Sequence, residues 1–239
     1  MGSERLPGKV IKPILGRSMI LYTLDRLNRS RYIDHIVLAT SVEEREIPLV
    51  EAVNSVGYDV FRGNESNVLK RYRDCSNKYG GDIIIRVTGD CPLIDSVIVD
   101  NVVTYFEIND YDYVRLDVPG SFIRGFDVEI FTRETLDRVY KAVCNLEADE
   151  SDRPDIDMYK EHVTCYIYKH PNEFKIGHVR GSDFYNKNYR LCVDTAEDFG
   201  LVENIYEHFK DEYVSSRQIV DYLDKNPEIS SINSDVVQK

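Results

Sequence analysis

The 239-residue chain has no tryptophan, only five histidines and five cysteines, and no uninterrupted apolar run approaching the roughly 18 residues of a membrane span. The last absence excludes a transmembrane helix, and no membrane partner is expected. Cys75, Cys91, Cys144, Cys165 and Cys192 are odd in number and contain no C-x-x-C pair. That spacing argues against a disulfide scaffold or a structural zinc site and suits a reducing compartment. The histidines are scattered and form no H-E-x-x-H pair. Met1-Gly2-Ser3-Glu4-Arg5 lacks the apolar core of an export signal, so a cytoplasmic protein is expected. Positive charge is also short, with 30 Lys and Arg against 42 Asp and Glu, for a net of −12. A long nucleic acid gripped through its phosphates is therefore a poor partner, although a local basic patch can still take a small anion.

What is present is enough for a core: 42% of positions are hydrophobic, and the length suits one large domain or two small ones. The charge is unevenly spread. Arg5, Lys9, Lys12, Arg17, Arg26, Arg29 and Arg31 face only Glu4 and Asp25 in the first 31 residues, a local +5 against −17 in the remainder. Such a segment is either a solvated basic face or an anion site.

Apolar runs alternate with amphipathic stretches. Strands are predicted at 35–40, 58–61 and 82–87, and helices at 43–56, 66–79 and 95–106. That alternation implies βαβ units and a parallel sheet covered on both faces. Strand-like runs then follow at 111–116, 126–131, 163–168, 174–179 and 189–193, with a helix over 133–146, an acidic loop over 147–155, and closing helices at 196–209 and 215–223. The expected fold is α/β, doubly wound, with a mostly parallel but mixed sheet. It forms a single domain over 1–239 with a mixed-sheet arm within about 111–190.

The first chemical constellation is Gly2-Ser3-Glu4-Arg5-Leu6-Pro7-Gly8-Lys9. Gly2 and Ser3 permit a tight turn whose N–H groups can face an anion. Arg5 offers a planar fork for phosphate, and Lys9 a mobile point charge. The second is Asp90, just beyond the strand over 83–87, at the sheet edge where open α/β folds place ligands. It reads equally as a turn residue or as a carboxylate for Mg²⁺. The third is Asp194, between a strand-like run and a helix carrying Glu197 and Asp198, where helix capping alone would explain it.

The string Gly2 to Ile14, with Gly16-Arg17-Ser18-Met19-Ile20, resembles the opening of the CTP-dependent sugar-acid cytidylyltransferases, which include the acylneuraminate and ketodeoxyoctulosonate enzymes. The SpsF-like spore-coat polysaccharide branch is the nearest in pattern. The resemblance continues through Phe61-Arg62-Gly63-Asn64-Glu65 with Val68 to Tyr72, Arg86 to Asp95, Gly125-Phe126-Asp127-Val128-Glu129, Glu161-His162-Val163-Thr164 and Val193 to Phe199. These blocks keep family order over nearly the whole chain. The resemblance implies a nucleotide-diphospho-sugar transferase-like fold and CMP transfer from CTP to a 2-keto-sugar acid, with release of pyrophosphate for surface polysaccharide synthesis. It further implies a homodimer, Mg²⁺ on Asp90 and Asp194, and Arg5 and Lys9 as catalytic cations. Gly2, Ser3, Arg5, Lys9, Arg62, Asn64 and Arg71 would hold the nucleotide. Asp127 and Glu129, which share a strand face, would meet the sugar or form the polar face of an edge strand, and His162 would touch substrate or be structural. No strand precedes the basic loop, so the family's first strand is expected to be missing, and Met1 then reads as an internal methionine. The same fold could also serve another nucleoside triphosphate, a glycosyltransferase or an N-terminally truncated, inactive relative.

Overall fold

The computed structural model describes residues 1–148 and 155–237. Most of the acidic stretch predicted as a loop over 147–155 lies outside the described residues. The basic loop leads through a 3₁₀ turn at Lys9–Ile11 into a short antiparallel hairpin, β1 (Pro13–Ile14) and β2 (Arg17–Ser18), and then into α1 (Met19–Leu27). Alternation follows as β3 (Val37–Ser41), α2 (Ile47–Asn54), β4 (Asp59–Gly63), α3 (Val68–Tyr79), β5 (Ile83–Arg86) and α4 (Ser96–Glu107). Then come β6 (Tyr113–Leu116), β7 (Glu129–Thr132), α5 (Arg133–Ala148), α6 (Ile156–Glu161), α7 (Cys165–Lys169) and β8 (Ile176–Val179). The chain closes with α8 (Ala196–Phe209), α9 (Ser216–Lys225) and α10 (Pro227–Ser230).

The starts of several helices are written in local chemistry. Asn67 accepts the Lys70 N–H, Asp95 the Val97 N–H, Thr195 the Asp198 N–H and Ser215 the Gln218 N–H, each satisfying a donor that the first helical turn leaves open.

β3 and β4 pair in parallel. A second sheet has the order β5-β7-β6-β8, with β7 antiparallel to both neighbours and β6 parallel to β8. Three of its four strands therefore run one way, giving the mixed, mostly parallel sheet. Among the described residues β3 pairs only with β4 and β5 only with β7, leaving one edge of each without a strand neighbour. Leu21 and Leu24 of α1 cover β3 and β4 at Leu38 and Val60.

Alternation along the strands divides the core. Val114 and Ile130 enter a cluster with Ile98, Val99 and Val102 of α4, Val202 and Ile205 of α8, and Ile219 of α9. Their neighbours Tyr113 and Phe131 point the other way, into a cluster with Leu69 of α3, Leu136 and Val139 of α5, and Ile167 of α7. Helices thus clothe both faces of this sheet.

Two predicted strands are corrected. Residues 163–168 contain the helix α7, because Val163 through Ile167 are buried in succession rather than alternately. A short apolar run of that kind carries no periodicity to separate strand from helix. Residues 189–193 make only a single parallel bridge, Arg190 with Arg124, since their N–H groups go to two different loops rather than to one strand.

Arg26 on α1 is 3% exposed and donates to four carbonyl oxygens, those of Ile94 (2.5 Å), Leu93 (3.2 Å), Glu212 (2.8 Å) and Val214 (2.8 Å). One side chain thereby ties α1 to the loop before α4 and to the turn between α8 and α9. Arg26→Ala is expected to cost about 3 kcal/mol, since it leaves buried acceptors without donors. Urea unfolding measures this, and a loss below about 1 kcal/mol would contradict the assignment.

Candidate functional site

The basic loop is folded by its own backbone. Gly8, at φ 69°, donates its N–H to Met1 O (3.2 Å), Lys9 N–H reaches Leu6 O (3.2 Å), and Ser3 Oγ accepts the Leu6 N–H (3.3 Å). This coil turns Arg5 and Lys9 toward the same point. Lys9 Nζ donates to Asp90 Oδ2 (3.1 Å), Asp194 Oδ1 (2.9 Å) and the Val193 carbonyl (2.7 Å). Arg5 pairs with Asp194 Oδ2 at 2.9 Å. Four predicted residues, Arg5, Lys9, Asp90 and Asp194, are therefore brought into one cluster from both ends and the middle of the chain.

Asp90 lies past the carboxyl end of β5, in a tight turn closed by the Cys91 N–H to Thr88 O bond (3.2 Å). Its own carbonyl accepts the Val193 N–H at 2.8 Å, while the Leu191 N–H reaches Arg124 O at 2.8 Å. These bonds seat the 190–193 segment so that the next residue, Asp194, stands beside Asp90. Gly125 makes the approach feasible. At φ +109° it adopts a backbone that favours glycine, and a Cβ there would lie 2.4 Å from the Leu191 backbone.

The Asp194 turn is braced from beneath. Buried Asp198 accepts the N–H groups of Asp194 (2.9 Å) and Thr195 (3.0 Å), while Thr195 Oγ1 accepts the Asp198 N–H in return. Arg190 binds Asp198 through Nε (3.0 Å) and Asp194 through its terminal nitrogen, and Asn233 donates to Asp198 Oδ1 (2.7 Å) and Arg190 O (2.9 Å). Nothing in the sequence marks Arg190 or Asn233 as site-building residues, whereas Gly125 carries one signal, its place at the head of the Gly125–Glu129 block.

Electrostatics follow the contacts. Burial opposes the charge on Lys9, but Asp90 and Asp194 outweigh it and raise the Lys9 pKa. Burial likewise opposes charge on Asp194, yet Lys9, Arg5 and Arg190 hold its carboxyl below the usual aspartate range. Burial pushes the Cys192 thiol up to about 12, so it sits beside the carboxylates as a neutral group.

The remaining predicted residues lie elsewhere. Arg62 donates to the carbonyls of Ser41 (3.2 Å), Val42 (2.6 Å) and Glu43 (3.0 Å), Asn64 accepts the Asn67 N–H (2.7 Å), and Arg71 holds Asn64 O (2.8 Å). Together they shape the loops after β3 and β4. Gly2 packs beside the Arg45 guanidinium. Asp127 accepts the Gly125 N–H at 2.6 Å, and burial raises its pKa despite that bond. Glu129 points into the interior, where it meets Arg86, Tyr113 and Thr164 Oγ1 (2.7 Å). His162 ends α6 on the exposed surface.

The carboxylate pair fits a hard divalent ion. Two oxygen donors from separate loops, one beyond β5 and one before α8, already converge on one cation, the Lys9 ammonium, and Mg²⁺ characteristically takes one or two carboxylates with water and phosphate oxygens. No group of three or more His, Cys, Asp or Glu side chains gathers for a metal among the described residues, so further ligands would come from water and substrate. A cleft of about 480 Å³ opens beside Arg5 and Thr195, bordered by Glu197, Asn233 and Val237. A cleft of about 610 Å³ around Asp82, Arg133 and Lys141 borders the opposite end of β5 and shares no residue with the cluster.

The family profile described as cytidylyltransferase matches residues 1–226. The spore coat polysaccharide biosynthesis protein SpsF of Bacillus subtilis is 30% identical over 97% of this chain and 93% of its own length. A 3-deoxy-manno-octulosonate cytidylyltransferase of Solibacter usitatus is 25% identical over 86% of this chain and 90% of its own. Among solved structures, a cytidylyltransferase from Leptospira borgpetersenii superposes with a TM-score of 0.86 at 30% identity, covering 100% of this chain and 95% of that one.

Two expectations follow from the geometry. Gly125→Ala should force the 191–192 backbone away, separate Asp194 from Asp90, and lower both the melting temperature and any activity of the site. An unchanged melting curve would contradict that close approach. For Glu129, burial opposes the charge, but Arg86, Tyr113 and Thr164 hold its carboxyl below its ordinary 4.5. Its contribution is thus complete above that value and is lost as pH falls through the lowered one. Glu129→Gln should cost about 3 kcal/mol at pH 7, by stranding the Arg86 charge, and lose less additional stability in acid than the parent. Urea unfolding at pH 7 and below pH 4 measures both, and parallel acid losses would contradict the pairing.

Proposed function

The chain belongs to the cytidylyltransferase family, and on that premise we propose that it transfers CMP from CTP to the anomeric hydroxyl of a 2-keto-sugar acid for surface polysaccharide synthesis. The observation that carries this reading is the convergence of Arg5 and Lys9 with Asp90 and Asp194 at one point above the sheet edge. The sugar oxygen forms a bond to the α-phosphorus, the bond from that phosphorus to the bridging oxygen breaks, and pyrophosphate leaves with the electron pair. The hydroxyl proton passes to solvent.

Such a transfer asks a protein mainly for alignment and charge. Arg5 can present two parallel N–H groups to a phosphate, and Lys9 a movable ammonium, so together they balance charge gathering on the departing β,γ-phosphates. Asp90 and Asp194 would hold Mg²⁺, which supplies Lewis-acid stabilisation of phosphate oxygens and a lower pKa for the attacking hydroxyl. The Val193–Asp90 backbone bond and the Asp198 brace keep the two carboxylates aligned before substrate arrives. The five free thiols suit a reducing cytoplasm as the site of reaction.

Supplied with CTP, Mg²⁺ and an octulosonic or nonulosonic acid, the enzyme should release pyrophosphate in a sugar-dependent manner. Asp90→Asn and Asp194→Asn should each lower kcat by on the order of 100-fold or more. No pyrophosphate with any such acid, together with no shift of the melting temperature by CTP, would overturn the proposal.

A further inference from the structure

The three cations around the carboxylate pair are not equivalent. Arg190 is fixed, since it also binds the buried Asp198 and its own carbonyl is held by Asn233. Arg5 and Lys9 come from the coiled N-terminal loop and meet the carboxylates at their tips, each with one further acceptor, the Val193 carbonyl for Lys9 (2.7 Å) and the Val237 carbonyl for Arg5 (3.4 Å). Three of the four carboxylate oxygens face a cation, and the fourth, Oδ1 of Asp90, has the Cys91 thiol at 3.7 Å. Oδ1 of Asp194 faces Lys9, its Oδ2 faces Arg5 and Arg190, and Oδ2 of Asp90 faces Lys9. The Lys9 nitrogen stands 3.1 and 2.9 Å from the two aspartates, at the point on which an ion bound to both would also have to sit. Divalent ions of this kind bind carboxylates at about 2.0–2.1 Å, and an ammonium and such an ion repel steeply at these separations.

We propose that Lys9 is an internal counter-cation that closes the Asp90–Asp194 pair and must leave before a divalent ion can enter. The same ammonium is a phosphate ligand in waiting, and Arg5 is its companion. A triphosphate entering the loop offers both cations a stronger anion than the aspartates, draws them off, and exposes the pair to the metal. Metal and nucleotide then bind with positive coupling, each raising the other's affinity by the same factor. The pair is also kept compensated when empty, which avoids two adjacent carboxylates in a partly buried setting. This inference rests on the reading of Asp90 and Asp194 as metal ligands, though not on the identity of the base or sugar.

The experiment uses Mn²⁺ alone, without nucleotide, titrated into the full chain and followed by loss of the free-ion electron paramagnetic resonance signal. Lys9→Met should bind Mn²⁺ at least about tenfold more tightly than the parent, and Asp90→Asn in the Lys9→Met background should abolish the gain. Circular dichroism melting establishes that each variant is folded, and Lys9→Gln provides the same comparison should Lys9→Met not fold. Equal affinity in parent and Lys9→Met overturns the counter-cation role and leaves nucleotidyl transfer to the pyrophosphate assay. A gain that survives Asp90→Asn places the ion elsewhere and overturns the proposal as well. Absence of Mn²⁺ binding in both proteins overturns the role together with the metal assignment, again without deciding the transfer reaction.

Discussion

The site depends on a backbone hydrogen bond, Val193 N–H to Asp90 C=O at 2.8 Å. It joins two loops more than a hundred residues apart in sequence and brings the carboxylate of Asp90 beside that of Asp194, the residue after Val193. The Leu191–Arg124 bond sets the register of the same segment, and Gly125 leaves room for it. Side-chain chemistry at the cluster is secondary to this. Any aspartate carried past the end of β5 would be solvated and ordinary if the 190–193 segment were not pinned alongside.

The second constraint is charge compensation inside a chain whose net charge is −12. Three interior charges among the described residues have built answers. Arg26 is surrounded by carbonyl dipoles, Glu129 by Arg86 and two hydroxyls, and Asp198 by backbone N–H groups, Arg190 and Asn233. Burying a charge without such partners is costly, and breaking a matched set costs more than the set contributes when intact. The Asp90–Asp194 pair differs because two of its partners, Arg5 and Lys9, come from the N-terminal loop, and in the proposed mechanism these are the cations exchanged for phosphate and metal. Structural networks and the reactive cluster thus use the same residue types and differ in whether the partners can leave.

Much of the fold was legible because its signals are local. The β-branched run at 83–86 and the alternation of short apolar runs with amphipathic stretches placed most elements to within a few residues. The segment at 163–168 failed because its residues favour strands while the surrounding core accepts them as a buried helix. At the site, Asp194, which capping alone would explain, was singled out by the family resemblance, while Arg5 and Lys9 stood out by residue type within a basic loop and Asp90 by its place beyond a strand. What joins them did not, because a backbone bond between distant loops and the φ of Gly125 leave no charge or periodicity to read. Nor could spacing say that Glu129, two residues from Asp127, would turn inward to Arg86. Alternation gives a shared face, and packing decides whether that face meets solvent, ligand or core.

A crystal soaked with CTP and Mn²⁺ and measured for anomalous scattering from manganese tests the central claim most directly. A single peak bridging Asp90 and Asp194 is expected, with the Lys9 ammonium moved from the carboxylates to the phosphate oxygens. A peak at any other place, or a Lys9 still seated between the two aspartates with nucleotide bound, would contradict it.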